Sequence, residues 1–536
     1  MPCARHVGVR LLGERDGEVR HLSFRPGPSL RDILDTSSVR VRTSCAGQGA
    51  CGLCRVRIDE GAAGPPTAAE VLHLGAEAIA AGTRLACQVT PRGDLDVTVL
   101  EPARPSPWRS PGSTAYQPAH PPSRRSLNGT PLGAAVDLGT TQITVAICGA
   151  AEGDRLAARC GPNPQVRVGA DVVGRLDAAA RSPLSAQRLR GMALEAIGGA
   201  LLELSRDEGI ALPEVGRVRV VGNSAMLTLL SGRPAGAMLD PAGWTAAVEC
   251  PLADAAAVAE RWNLAASAAI ELVRPLGGFV GSDLLAGVVH CRLVDGPEPA
   301  LLVDFGTNTE IALWDGERLW ATAAAGGPAF EATGIGCGLP AEPGAIRRLR
   351  RGPDRSWHAE VIESVQPRGV CGSGLVDLLA LLREGGEIDE RGRPTREPLT
   401  VAVGGVELAV SKADVDALQR AKGAVAAGIE VLCRRAGLPL ERIGAVHVAG
   451  SFGEHLDAGS ARAIGLLPPV GAGRIRLAGN AALHGALDLL LSGAAEEALA
   501  RARRRATLVN LSLEAEFEDL FVEHLHVRPW RPRGSA

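Results

Sequence analysis

Residues 133–160 read GAAVDLGTTQITVAICGAAEGDRLAARC, and residues 300–325 read ALLVDFGTNTEIALWDGERLWATAAA. Each begins with a buried apolar strand and runs through Asp-x-Gly-Thr-Thr/Asn into a second strand. A polar turn follows (Glu152-Gly153-Asp154 or Asp315-Gly316), then a third strand. Asp137 and Asp304 lie 167 positions apart, which marks an internal duplication. The chemistry suits nucleotide phosphates. Gly139 and Gly306 let each turn approach a phosphate closely. Backbone N–H groups and the polar side chains of Thr140, Thr141, Thr307 and Asn308 supply donors. Asp137 and Asp304 cannot face phosphate directly, so they are expected to hold Mg²⁺, mostly through its waters. Two such hairpins facing each other would clamp a triphosphate.

The duplication extends outward. RVRVVGNSAM contains Gly222-Asn223-Ser224, and AVHVAGSFGEH contains Gly450-Ser451-Phe452-Gly453; both are strands entering a Gly-Ser loop. Between the halves, GGFVGSDLLAGVVHCRL (277–293) reads as a Gly-rich turn and a helix. Asp283 at its start has two compatible readings: an N-cap, or a group orienting the attacking water or Mg²⁺. Residues 412–434 form an expected amphipathic helix, with Val415, Leu418, Val425, Ile429 and Leu432 on one face. Lys422 on that helix either flanks the nucleotide or is solvated. Of 57 basic residues only Lys412 and Lys422 are lysines, and neither follows glycine, so the Gly-Lys-Ser/Thr phosphate loop is excluded. The arginine bias reads as base composition and carries no functional weight.

A second signal stands near the N-terminus. Residues 43–54 read TSCAGQGACGLC, giving Cys45-x5-Cys51-x2-Cys54, and Cys87 follows in RLACQV. Four thiolates around a loop of small residues suit a 2Fe–2S cluster. Zinc would favour paired Cys units, and Cys87 has no partner nearby; incidental reduced cysteines are the remaining alternative. The other eight cysteines lack metal-like spacing and read as small hydrophobes. Residues 101–130 contain seven prolines in thirty positions and read as a linker, either moving the cluster or passively spacing it. As a coil it would span roughly 30 Å, and fully extended roughly 90 Å. Trp108 and Tyr116 within it are candidates to pack on a neighbour.

The 536 residues, 46% hydrophobic and 22% charged, suit three to four folded domains. A net charge of −3 gives no sign of a nucleic-acid partner. No apolar run is long enough to span a bilayer, and the first twenty residues lack a signal-peptide core, so a cytoplasmic protein without a membrane partner is expected.

Residues 5–99 resemble a β-grasp ferredoxin, with the five-residue ligand spacing similar to the adrenodoxin-like branch. The loop at Gly450, Ser451 and Gly453 resembles the adenosine-binding loop of the actin–Hsp70–sugar-kinase superfamily, in which the helix after residue 281 forms part of a hinge between lobes. The fusion, together with GADVVGR, GGPAFE (326–331), VCGSGLVD (370–377) and VAGSFG, resembles the reductive activators of corrinoid proteins over nearly the whole chain. The resemblance implies a multidomain protein. Residues 1–100 would form an α+β β-grasp ferredoxin and 101–130 a Pro-rich linker. An α/β actin-like two-lobed ATPase would follow, with lobes at 131–276 and 277–536. It implies ATP-dependent transfer of one electron from a 2Fe–2S cluster at Cys45, Cys51, Cys54 and Cys87 to Co(II) of a corrinoid protein in a methyltransferase system. It also implies an upstream low-potential electron donor and leaves room for a homodimer. Two rivals stand beside it: an actin-fold small-metabolite kinase with a regulatory iron–sulfur domain, and a non-catalytic redox-sensing ATP-binding module.

Overall fold

The computed structural model describes residues 5–11, 19–24, 26–37, 39–42, 45, 47, 49–103, 106–111, 116–121, 131–149, 157–169, 171–240, 244, 246–332, 334–450 and 452–530. The turns at 16–17 and 152–154, Cys3 and Ser451 lie outside the described residues.

The N-terminal domain contains β1 (Arg5–Leu11), β2 (Arg20–Phe24), α1 (Leu30–Asp35), β3 (Arg55–Gly61), α2 (Ala68–Ala80), β4 (Thr83–Leu85) and β5 (Leu95–Val99). They form one sheet in the order β2-β1-β5-β3-β4, with β1 and β5 parallel. Thr67 and Glu70 make a capping box at the start of α2. Glu70 is also clasped by Arg84 at 2.7 and 2.9 Å and accepts the Leu85 N–H at 3.1 Å. This buried pair fixes α2 against β4, the strand that leads into Cys87.

The duplication is explicit in the two larger sheets. The first has the order β10-β9-β6-β7-β8, from β6 (Leu132–Leu138), β7 (Gln142–Gly149), β8 (Ala157–Pro162), β9 (Val215–Gly222) and β10 (Ala269–Leu272). Its helices are α3 (Val172–Arg181), α4 (Pro183–Glu208), α5 (Ser224–Ser231) and α6 (Ala255–Arg261). After α7 (Ser282–His290), the second sheet repeats the order with β11 (Ala300–Phe305), β12 (Thr309–Trp314) and β13 (Leu319–Ala324). A side unit follows: β14 (Ala345–Arg351), β15 (Trp357–Val361), β16 (Gly369–Val370), α8 (Gly372–Glu384), β17 (Leu399–Val403) and β18 (Val406–Val410). Helix α9 (Lys412–Arg435) matches the expected amphipathic span and starts with a Ser411–Asp414 capping box. Then come β19 (Ala445–Gly450), α10 (Ala458–Ala463), β20 (Ile475–Gly479), α11 (Ala481–Leu491), α12 (Gly493–Arg505), β21 (Ala506–Leu508) and α13 (Phe517–His524). The full order of the second sheet is β20-β19-β11-β12-β13-β21. The registers agree as well: Asp137 pairs with Val221 of β9, and Asp304 with Ala449 of β19.

Helices α7 and α11 pack between the sheets. One apolar core joins Ala135, Ala146 and Val221 of the first sheet to Leu302, Ala312 and Ala449 of the second through Leu284, Val288, Ala486 and Leu490. The helices cross at Gly485, where a Cβ would stand 1.9 Å from the Ala286 carbonyl oxygen. The described parts of 101–130 are anchored rather than free. Trp108 is buried over Gly161 and Gly199, and the Tyr116 hydroxyl donates to Asp488 of α11 at 2.9 Å. Among the described residues, no helix is long and apolar enough to cross a membrane.

The α7–α11 crossing is directly testable. Gly485→Ala should force the helices apart and cost about 1–3 kcal/mol, read as a lower denaturant midpoint.

Candidate functional site

Strands β6 and β11 end in the two Asp-Gly-Thr turns, and the turns face each other. The Thr141 and Thr307 hydroxyls are 3.0 Å apart. Each also donates to Glu331, at 2.8 Å in both cases. One carboxylate thus bridges the two hairpins through the same hydroxyls expected to meet a phosphate, and stands in for an anion there. Asn308 Nδ2 and Thr309 Oγ1 are buried without a hydrogen-bond partner, which leaves two donors for an incoming group. Gly139 is required by its turn, since a Cβ would meet the Gln142 carbonyl oxygen at 2.5 Å. Thr140 is buried beside it.

Behind the hydroxyls lie four acids. Asp137, Asp283 and Asp304 keep some surface open, and Glu310 is buried. Burial raises them all, and mutual repulsion adds to it at three: Asp283 goes to about 7, Asp304 to about 8, and Glu310 well above its ordinary range. Asp137 rises to about 6 through burial, moderated by Asn480 Nδ2, which donates to it at 2.9 Å. Asn223 Nδ2 donates to Glu310 at 3.1 Å. Such a nest favours a cation or retained protons. Among the described residues no three acidic, His or Cys side chains are close enough to ligate one ion together. A divalent ion here would therefore be gripped largely through its waters.

The structure corrects two readings. Asp283 is not the N-cap of α7: Gly281 holds that position, and Asp283 lies inside the helix, accepting from the Leu284 N–H at 2.9 Å. Lys422 is neither solvated nor at the hairpins. It is 1% exposed and donates to the His524 carbonyl of α13. Burial, then the Arg528 charge, lowers its pKa to about 7.

Gly450 closes the second turn. Its φ is +75°, and a Cβ would meet Asp304 Oδ1 at 2.3 Å. Gly453 faces the Gly479 backbone, where a Cβ would find only 2.4 Å. Next to these turns Phe305, Phe330 and Phe452 cluster with centroids 5.0–5.7 Å apart, Phe330 edge-to-face with the other two rings. This triad joins the Asp-Gly-Thr, GGPAFE and VAGSFG segments, and Gly372 of VCGSGL touches Phe330. Sequence reasoning missed Glu310, Asn480 and the bridging role of Glu331. Glu310 closes the GTNTE motif, a signal that was available.

In the ferredoxin domain Gly47, Gly49 and Gly52 all have positive φ, curling the cysteine loop. Cys54 and Cys87 hydrogen-bond to each other. Cys87 also accepts from the Gly49 N–H and from Gln88 Nε2 at 3.5 Å. The Cys54 bond and these donors, aided by Arg31, pull the Cys87 thiol down, while the same pairing and burial push Cys54 up. Cys45 and Cys51 are partly buried on the same loop. Donors aimed at sulfur and paired thiols suit a cluster whose two irons each take two thiolates. Of the remaining cysteines, Cys148, Cys250, Cys337, Cys371 and Cys433 are buried, and Cys160 and Cys291 are partly so.

Three domain families match the chain in order. The 2Fe–2S iron–sulfur cluster binding domain matches residues 14–92, the RACo middle region 132–295, and the C-terminal domain of RACo, the ASKHA domain, 298–530. The corrinoid activation enzyme RamQ of Eubacterium limosum is 27% identical over 423 residues, covering 73% of this chain and 69% of that protein. The Co(II) methylated amine-specific corrinoid protein reductase of Methanosarcina barkeri is 29% identical over 235 residues, covering 40% and 42%. A solved structure of a reductive activator for corrinoid, iron–sulfur protein shares the fold with a TM-score of 0.67, covering 97% of this chain and 98% of that one at 24% identity. With the ferredoxin, middle and ASKHA units in this order, the chain belongs to the family of reductive activators of corrinoid proteins.

Proposed function

We propose that the chain spends ATP to place single electrons on the Co(II) state of a corrinoid protein, returning it to the Co(I) state used in methyl transfer. The observation that carries this is the bridge of Thr141, Thr307 and Glu331 over four crowded acids, in one chain with an iron–sulfur domain. Bound at Cys45, Cys51, Cys54 and Cys87, a 2Fe–2S cluster supplies a one-electron carrier, filled by an upstream low-potential donor. Each ~59 mV uphill to cobalt costs a factor of ten in the one-electron equilibrium, so the transfer needs a coupled driving reaction.

The chain's residues have definite parts in that coupling. Thr140, Thr141, Thr307, Asn308 and Thr309 donate to phosphate oxygens. Asp137, Asp283, Asp304 and Glu310 would hold Mg²⁺, which would supply positive charge beside the phosphates. Gly450 and Gly453 belong to the loop against which the adenosine lies. A phosphate that takes the two threonine hydroxyls displaces Glu331. Because Phe330 precedes Glu331 and packs edge-to-face on Phe305 and Phe452, the exchange shifts three loops together. ATP moves the lobes only by its differential affinity for the two arrangements.

Anaerobic mixing of the reduced protein with a Co(II) corrinoid protein should produce the Co(I) absorbance only with ATP and Mg²⁺. Equal rate and extent without nucleotide would end this reading. Cys51→Ser should lose the cluster absorbance, and Asp304→Ala should keep it while losing ATP hydrolysis. Glu331→Gln, which removes the competing anion, should tighten nucleotide binding roughly tenfold, the worth of one charge-assisted hydrogen bond of about 1.5 kcal/mol; calorimetry reads it directly.

The acids also set a pH dependence. The folded pKa values of the three aspartates lie above the ordinary 3.8, up to about 8 at Asp304, and Glu310 is raised well above its own ordinary value. The folded, nucleotide-free protein therefore retains protons that the unfolded chain has released, and its stability falls as pH rises through that window. Melting temperature should decline accordingly, Mg²⁺ should restore it most at the upper end, and Asp304→Asn should flatten the slope.

A further inference from the structure

A buried ion network outside the nucleotide site joins the ferredoxin domain to the C-terminal end of α4. Arg40 donates to Asp35 at 2.8 Å, to Glu203 at 2.6 Å and to Asp207 at 2.7 Å. Arg31 pairs with Glu208. Arg159 of β8 stands 3.0 Å from Glu208 and 3.2 Å from Asp35. Arg31 and Glu208 are 2% and 4% exposed, so water screens them little.

Arg31 also belongs to the cysteine site. Its neighbour Leu30 donates to the Val89 carbonyl at 2.7 Å, two residues past Cys87, and the Arg31 charge acts on the Cys87 thiol. The buried groups on the ferredoxin side, Arg31, Arg40 and Asp35, leave one surplus positive charge. Those opposite, Arg159, Glu203, Asp207 and Glu208, leave two surplus negative charges. Docked, the α4 acids outweigh the positive field at the thiolates and oppose the arrival of an electron. Undocked, Arg31 keeps only Asp32 and Asp35 of its own domain as acidic partners, at 3.3 and 3.9 Å, and its less opposed charge favours that arrival.

We propose that docking on the acidic end of α4 makes the iron–sulfur cluster the stronger reductant, with Glu208 acting through Arg31, and that one added electron loosens the dock. Reciprocity requires the two effects to share one factor. The electron comes from a low-potential one-electron donor and reduces one Fe(III) to Fe(II); no bond forms or breaks. Glu208 is a positioning residue here, and the idea rests on the iron–sulfur reading above.

The test uses the full-length protein, with cluster loading first confirmed by visible absorbance. Its midpoint potential is then read by dithionite titration with mediators. Glu208→Gln should raise the midpoint by about 59 mV or more, a tenfold shift in the one-electron equilibrium. Glu195→Gln, on the exposed face of α4, should leave it in place. If Glu208→Gln loads no cluster, Asp207→Asn should give a smaller rise. An unchanged or lowered midpoint in either loaded dock variant overturns the proposal, whereas a wild-type protein that holds no cluster overturns the iron–sulfur reading instead.

Discussion

Four carboxylates sunk where two sheets meet cannot all be charged without help, and much of the ATPase half answers to that constraint. Asp137 and Asp304 are placed by matching strands in matching registers. Asp283 is added by α7, the helix packed between the sheets, and Glu310 by the strand after the second turn. Burial, then their mutual repulsion, makes the junction a proton store and a cation trap. Glu331 adds a further anion at the mouth, held by two threonine hydroxyls. Filling the site therefore exchanges one set of charges for another, and that exchange gives a ligand leverage over the surrounding loops.

The leverage has a structural route. Asp283 lies in the first turn of α7, while Asn480, which donates to Asp137, caps α11. The two helices touch backbone to backbone at Gly485. Further along, Asp488 of α11 accepts from Tyr116 and the Ala119 N–H of the linker and lies 2.8 Å from His290 of α7. The acid nest, the helix pair and the linker are thus one connected set of contacts. The ferredoxin end of the same linker is held by Arg40 through the Trp108 carbonyl at 3.0 Å.

The duplicated hairpins were legible because strand, turn and strand are local and the motif recurs. The cysteine loop was legible for the same reason. What the sequence concealed lies far apart along it. Asn480 reaches Asp137 across 343 residues, and Glu331 reaches Thr141 across 190. Lys422 was misread because a lone lysine ordinarily faces water; only the approach of α13, about a hundred residues later, buries it. The arginine excess was set aside as compositional bias, yet Arg31, Arg40 and Arg159 form the dock between domains. Composition cannot distinguish an arginine that fills a surface from one that neutralises a buried acid.

Burial of Trp108 changes the mechanics of any release from α4. With the indole seated on Gly161 and Gly199, the tether runs only from the end of β5 to residue 107, eight residues instead of thirty. Fully stretched, eight residues reach at most about 28 Å. A freed ferredoxin would sweep a small sphere around its berth, return quickly, and meet only a partner already seated alongside.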